Sequence, residues 1–230
     1  MQTLHIVGRT LPNHYFSNPV NGYRGRHVVC SAVIPHCPPC PMIDKRHDVF
    51  ISYAHKDNPK PGKPITKLVR RLKETYRDLY KEEINVFFDE DGLKPGELWE
   101  NKLLESLRQS AVMIVILSSD YYNREYCYKE WQRFLDCELH LALPGEGILV
   151  GKWNEDGKSP DDPTLERAIK LWVQDLRSRQ YFDISDWQVC QDSAAFHQRI
   201  VEVCELIRER KQIIAEHQQV VIYVAQQRKY

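Results

Sequence analysis

Apolar and polar positions along the chain follow two patterns in turn, and these predict alternating strands and helices. Short runs rich in β-branched and aromatic residues are typical of strands, whereas apolar residues spaced three or four apart are typical of helices with one buried face. The strand pattern occurs at residues 48–53, 84–88, 111–117, 147–153 and 180–184. The helix pattern occurs at residues 65–80, 99–109, 126–143, 165–176 and 196–210.

This alternation of strand and helix predicts an α/β domain with a parallel sheet between helices. The third strand, residues 111–117, is almost uniformly apolar, as expected when both faces of a parallel sheet are covered. We therefore predict a flavodoxin-like, doubly wound sheet of five parallel strands in the order 2-1-3-4-5, with helices on both faces. In this order a ligand crevice lies beyond the carboxyl ends of the first and third strands, here residues 52–55 and 118–120.

Both ends of the chain lack this pattern. Residues 1–44 contain six prolines and no sustained apolar period, which predicts a Pro-rich extension. Residues 45–210 form the predicted domain. Residues 211–230 are interpreted as a helical tail or linker, which either extends the last helix or leads into a further module.

Composition narrows the class of protein further. The chain has 230 residues, of which 42% are hydrophobic, and this excludes a disordered protein. Lys and Arg together number 32 and so do Asp and Glu, so no overall basic field favours direct binding of nucleic acid. No apolar run approaches the roughly 18 residues that cross a bilayer, and we expect no membrane attachment.

Seven cysteines and the lack of a secretory signal predict a cytoplasmic protein with reduced thiols. Cys37 and Cys40, with His36 beside them, are half of a zinc-site pattern, but no second pair completes four ligands. We therefore predict no metal. The glycine fingerprints of dinucleotide-binding folds and P-loops are also absent, which argues against a dehydrogenase or a P-loop NTPase.

The helix after the third strand carries the strongest candidate for chemistry. Its apolar face contains Cys127, Trp131, Phe134 and Leu135. Glu130 lies at the edge of this face, one turn from Tyr126 and beside the predicted crevice. A carboxylate among aromatic and sulfur side chains is partly desolvated, which raises its pKa. The alternative from the helix pattern alone is a surface glutamate paired with Lys129 or Arg133.

Several segments, in this order, resemble Toll/interleukin-1 receptor (TIR) domains. The run DVFISY at 48–53 resembles their first strand, and FFDEDGLKPGE at 87–97 resembles the second strand and the following BB loop. The runs IVILS at 114–118 and YCYKEW at 126–131 resemble the third strand and the next helix of enzymatic TIR domains. The resemblance covers roughly residues 47–210.

The resemblance implies cleavage of NAD+ at the nicotinamide–ribose bond by one glutamate, placed three residues after a cysteine or similar small residue. Glu130, three residues after Cys127, fits this position. Because nicotinamide leaves a pyridinium as a neutral molecule, no general acid is needed, in contrast to ordinary glycosidases. One carboxylate near the ribose stabilises the oxocarbenium-like transition state, and water or the substrate's own adenine then captures the cation. NAD+ is accordingly expected as a substrate, and no cofactor is expected.

Further binding positions follow from the same resemblance. Tyr126, one turn before Glu130, matches the position where related enzymes place an aromatic ring against the substrate. Some family members carry basic residues at the last two positions of the first strand; Ala54 departs from that pattern, and His55 only partly replaces it. The candidate substrate-binding residues are Tyr53, Ala54, His55, Ser118, Tyr126 and Cys127.

The loop Lys94, Pro95 and Gly96 matches the loop that commonly mediates TIR–TIR assembly. The resemblance thus implies a homo-oligomer, activated by self-association with other TIR domains in immune, anti-phage or cell-death signalling. Two alternatives stay open: a non-catalytic TIR adaptor that acts only by TIR–TIR contact, and a sensor that binds NAD+ or a derivative without cleaving it.

Replacing Glu130 by glutamine is expected to lower the rate by about 10²–10³-fold. It is expected to change stability little, because a partly desolvated, incompletely paired carboxylate is not a strong stabiliser. The same replacement at Glu125 or Glu138, on the same helix, is expected to leave the rate near that of the wild type.

Overall fold

Five strands and five helices alternate in the computed structural model, which describes residues 47–89, 97–141, 143, 145–154, 166–187 and 193–227. The strands are β1 (His47–Tyr53), β2 (Val86–Phe87), β3 (Ser110–Ser118), β4 (Ile148–Asn154) and β5 (Tyr181–Asp183). The helices are α1 (Pro64–Tyr80), α2 (Glu97–Arg108), α3 (Glu125–His140), α4 (Arg167–Ser178) and α5 (Ala194–Gln227). Short 3-10 turns follow β1 at His55–Asp57 and β3 at Tyr121–Asn123.

The sheet has the order β2-β1-β3-β4-β5, and every pair of neighbouring strands is parallel. This confirms the predicted fold class. All nine residues of β3 are buried, and the apolar run at residues 111–117 predicts this for the central strand of a covered sheet. The strand order reverses between β1 and β3, where Ser52 pairs with Val115 and Tyr53 with Ile116. A crevice for ligands is expected at the carboxyl ends of these two strands.

Strand β2 and helix α5 differ most in length from the ranges that the sequence predicts. Strand β2 has two residues instead of the predicted 84–88, because it is an edge strand that pairs only with Val49 and Phe50 of β1. Helix α5 continues through Gln227, well beyond the predicted end near Arg210. Its extension is tied to the start of β1 by an ion pair of 2.9 Å between Lys211 and Asp48.

A buried ion network joins α3 to β4 and to the end of α4. Glu138 is 2% exposed, and its Oε1 lies 2.6 Å from the Arg179 guanidinium and 3.0 Å from the Ile148 amide, which donates to it. Arg179 also contacts Asp175 at 2.7 Å. A Cβ atom at residue 147 would lie only 2.9 Å from Glu138 Cγ. Glycine at this position therefore allows the backbone before β4 to lie close to the Glu138 side chain. Glu138→Gln is therefore not a matched control for Glu130→Gln, because it would also break a buried ion pair.

Among the helices of the described segments, none combines the length and the apolar character that a membrane crossing requires.

Candidate active site

A chain of three hydrogen-bonding side chains lies at the carboxyl ends of β1 and β3. Ser52, the next-to-last residue of β1, donates a hydrogen bond of 2.5 Å from its hydroxyl to Glu130 Oε2 on α3. The Ser52 Oγ also lies 2.8 Å from the hydroxyl of Tyr121, in the turn after β3. Ser52 and Tyr121 are buried, and Glu130 is partly buried. Glu130 is thus held at the point where the strand order reverses, as expected.

The surroundings of Glu130 favour its neutral form. Burial raises the pKa of Glu130 from the ordinary value of 4.5 to about 8, with a smaller rise from the negative charge of Asp89. The hydrogen bond from Ser52 acts in the opposite direction, because it stabilises the ionised carboxylate. The direction of this pKa shift is the one expected from the sequence. The groups that influence the pKa of Glu130 include Ser52 of β1 and Asp89, which lies after β2. The sequence analysis considered only neighbours of Glu130 on its own helix.

Tyr53 fixes the end of β2 beside this crevice. Its hydroxyl donates a hydrogen bond to the backbone carbonyl of Asp89, and its ring lies 5.2 Å from the ring of Phe88. The His55 ring lies 5.1 Å from the Tyr53 ring, and its Nε2 is 3.9 Å from Asp89 Oδ2. Tyr53 therefore places the Asp89 carboxylate near the crevice, while His55 stays exposed at its rim.

Ser118 holds the turn that carries Tyr121. Its hydroxyl donates to Asp57 Oδ2 at 2.6 Å and accepts the backbone N–H of Tyr121 at 3.1 Å. Burial raises the pKa of Asp57, against the effect of the Ser118 hydrogen bond. Ser118 is buried, so in this structure it supports the wall of the crevice.

The remaining predicted residues differ in accessibility. Tyr126 is 48% exposed, and the Lys129 ammonium lies 5.3 Å from the centre of its ring. Cys127 is buried, its Sγ is 3.7 Å from the Tyr53 carbonyl, and burial raises the pKa of its thiol well above the ordinary value. Ala54 is buried as well. Their contacts with substrate stay predictions.

Two groups of predicted residues lie outside the described residues. They are the self-association loop Lys94, Pro95 and Gly96, and the incomplete zinc pattern His36, Cys37 and Cys40.

Sequence reasoning missed the two side chains that connect to Glu130. Ser52 is a polar residue between apolar neighbours in a buried strand, and this irregularity was a usable signal. Tyr121 gives no such signal, because an aromatic residue after a strand is equally typical of ordinary packing. Its role depends on contacts with residues far away in the chain.

The family follows from comparison of the sequence with known proteins. The sequence profile of the TIR domain matches residues 49–201, and the chain belongs to the TIR domain family. It is 29% identical over 120 residues to the 2' cyclic ADP-D-ribose synthase AbTIR of Acinetobacter baumannii, a match that covers 52% of this chain and 39% of that protein. It is also 29% identical over 112 residues to the NAD(+) hydrolase PdTIR of Paracoccus denitrificans, covering 49% of this chain and 33% of that protein.

These matches span well under two thirds of either relative. Among solved structures, the TIR domains of the activated Roq1 resistosome have 15% identity and a TM-score of 0.36 to this chain, covering 76% of it and 99% of the Roq1 chain. The assignment to the family rests on the sequence profile.

The raised pKa of Glu130 predicts a pH-dependent stability. Between the ordinary value of 4.5 and about 8, the folded protein keeps a proton that the unfolded chain has lost. The free energy of unfolding therefore falls as the pH rises through this window, by up to about 1.4 kcal/mol per pH unit. Glu130→Gln lacks this titration, so we expect it to be more stable than the wild type at pH 8, with a difference that shrinks toward pH 4.5.

Urea unfolding of both proteins at several pH values between 4.5 and 8.5 measures this difference. Glu125→Gln, at an exposed position of α3, is the matched control and should follow the wild type at every pH. A difference between Glu130→Gln and the wild type that does not change with pH would contradict the raised pKa. The expectation of little change in stability holds only at the acidic end of this range.

Proposed function

We propose that this chain is an NAD+ glycohydrolase that cleaves the nicotinamide–ribose bond with Glu130 as its catalytic residue. The proposal rests on the desolvated carboxylate of Glu130, which accepts a hydrogen bond of 2.5 Å from Ser52. This carboxylate lies where the strand order reverses between β1 and β3. The choice of substrate is supported by two relatives that are named as an NAD(+) hydrolase and a 2' cyclic ADP-D-ribose synthase.

The proposed reaction begins with departure of nicotinamide. The bond between ribose C1′ and the ring nitrogen breaks, its electron pair goes to that nitrogen, and nicotinamide leaves as a neutral molecule. Positive charge develops on the ribose, and the ionised Glu130 stabilises it electrostatically in a site of low polarity. A single carboxylate is sufficient for this chemistry, whereas glycosidases with alkoxide leaving groups use a pair.

The ionisation of Glu130 is coupled to substrate. With a pKa of about 8, most of the carboxyl is protonated at pH 7 in the free protein. The positively charged nicotinamide ring of bound NAD+ favours the ionised form, because an opposite charge nearby lowers the pKa of a carboxyl group. A group with a pKa close to the working pH is also a suitable base for the proton that water loses when it attacks C1′. Capture by water gives ADP-ribose, and capture by the substrate's own adenine gives a cyclic isomer.

Self-association is the second part of the proposal. Helices α2, α3 and α4 border an open groove of about 740 Å³ lined partly by Leu104, Trp131 and Leu135. Leu171 of α4 also lines the groove, and its side chain is 51% exposed. Tyr126 of α3 is exposed as well. The zero net charge of the chain adds no long-range repulsion between copies.

We expect nicotinamide release per molecule to increase with protein concentration. The measurement covers a hundredfold range of concentration, with light scattering of the same samples to follow oligomers. Constant activity per molecule without any oligomer would contradict activation by self-association and indicate an active monomer. If no nicotinamide is released even by crowded or clustered protein, the glycohydrolase proposal fails and the adaptor alternative replaces it.

A further inference from the structure

When Glu130 is ionised, a count of the available protons fixes the direction of the hydrogen bonds at its carboxylate. The Ser52 hydroxyl has a single proton, and it donates this proton to Glu130 Oε2 at 2.5 Å. The Tyr121 hydroxyl, 2.8 Å from Ser52 Oγ, must then be the donor to Ser52. The result is a directional chain from Tyr121 through Ser52 to the ionised carboxylate.

We propose that Ser52 and Tyr121 are positioning residues for Glu130, which hold Oε2 in place and favour the ionised carboxylate in the crevice. Their role in catalysis rests on the glycohydrolase function proposed above. When Glu130 takes up a proton, the chain can reverse: Glu130 donates to Ser52, and Ser52 donates to Tyr121. Both O···O contacts can persist without movement of the heavier atoms, but the protonated state has three O–H protons for these two hydrogen bonds and leaves the Tyr121 proton without an acceptor in the chain.

Tyr121 is itself held rigidly, so it is a fixed anchor for this chain. Its side chain is fully buried, and its ring lies 5.5 Å from the ring of Trp172 and 6.4 Å from that of Tyr122. Its backbone N–H donates to Ser118 Oγ, which in turn donates to Asp57. A buried polar side chain that is fixed in this way loses little further freedom when it forms a hydrogen bond.

Among the described residues, the ionisable groups that interact with Glu130 do not assist its ionisation. Asp89, at the end of β2, opposes it by its negative charge. Cys127 on α3 and Tyr121 after β3 both interact electrostatically with Glu130, and burial raises the pKa of each well above its ordinary value. They are therefore neutral near pH 7. Ser52 is the group that opposes the effects of burial and of Asp89.

The direct test is a titration of the Glu130 carboxyl by carbon NMR on the full chain, with Glu130→Gln to identify its signal. Loss of a hydrogen bond to a charged group shifts such a titration by about one to two pH units. We expect Ser52→Ala to raise the midpoint by this amount, and Tyr121→Phe to raise it less. Tyr122→Phe removes the same hydroxyl from the adjacent buried tyrosine and should titrate like the wild type. A wild-type midpoint in Ser52→Ala overturns the proposal.

The kinetic test follows nicotinamide release between pH 6 and pH 9. Near pH 7, Ser52→Ala should lose about 10- to 100-fold in kcat/KM, and the loss should shrink as rising pH ionises Glu130. An equal loss at every pH would indicate a merely structural role and contradict the positioning claim.

The NMR titration needs no catalysis. If the wild type does not cleave NAD+, that failure belongs to the proposed function, and the titration still decides whether Ser52 sets the ionisation of Glu130.

Discussion

Glu130→Gln is expected to reduce the rate of nicotinamide release from NAD+ by about 10²–10³-fold. Glutamine keeps the size of the side chain and an oxygen that can accept from Ser52, but it removes the charge that faces the developing oxocarbenium ion. Loss of one preorganised electrostatic partner typically costs roughly 3–4 kcal/mol of transition-state stabilisation. The variant should fold at least as well as the wild type, because it no longer buries an ionisable carboxyl.

Glu125→Gln is the matched control for this loss. Glu125 lies on the same helix, but it is exposed and forms an ion pair of 2.9 Å with Lys129 on the surface of α3. Such pairs contribute little to stability, so we expect both the rate and the stability to remain close to wild type. A full rate in well-folded Glu130→Gln would contradict the assignment of the catalytic residue. Equal losses in both variants would point to damage to α3.

Arg179→Met is expected to lower the free energy of unfolding by about 3–5 kcal/mol. The change puts a shorter, unbranched apolar side chain in place of the arginine. It leaves Glu138, which is 2% exposed, without its guanidinium partner. An unpaired buried charge is costly, and this accounts for the size of the expected loss. Urea unfolding gives the magnitude directly.

The double variant Arg179→Met/Glu138→Gln separates charge from packing. It no longer buries an unpaired carboxylate, so it should recover part of the stability that Arg179→Met loses. Arg177→Met, at an exposed position in the last turn of α4, is the control and should stay close to wild type. If Arg179→Met is as stable as this control, the buried network does not contribute as described.

The fold could be predicted from the sequence because its main signals are local. The seven-residue apolar run of β3, residues 111–117, and the spacing of apolar residues in α1 are visible without knowledge of distant contacts. Strand β2 was predicted too long, since the length of an edge strand depends on how far its partner pairs with it. The sequence left open whether residues 211–230 extend the last helix, and α5 does continue through Gln227. The ion pair between Lys211 and Asp48 joins residues too far apart in the chain for any local pattern to show it.

The candidate site was predictable only in part. The position of Glu130 follows from the helix pattern, the switch point and the resemblance to enzymatic TIR domains. Its partner Ser52 lies 78 residues away, and Tyr121 lies 69 residues from Ser52, so no local pattern connects them.

The glutamates of α3 show the same limit. Glu125 and Glu138 were equivalent from the sequence, yet Glu138 is buried against Arg179, which is 41 residues away. Whether a charge is buried depends on such tertiary partners.

The most direct test of the central claim is nicotinamide release from NAD+ by the purified chain at high protein concentration and pH 8.5. Wild type, Glu130→Gln and Glu125→Gln are compared in parallel, with the product identified by mass spectrometry. The account predicts that wild type and Glu125→Gln release nicotinamide together with ADP-ribose or a cyclic isomer, whereas Glu130→Gln is slower by about 10²–10³-fold. It is contradicted if the wild type leaves NAD+ intact, or if Glu130→Gln consumes NAD+ as fast as the wild type does.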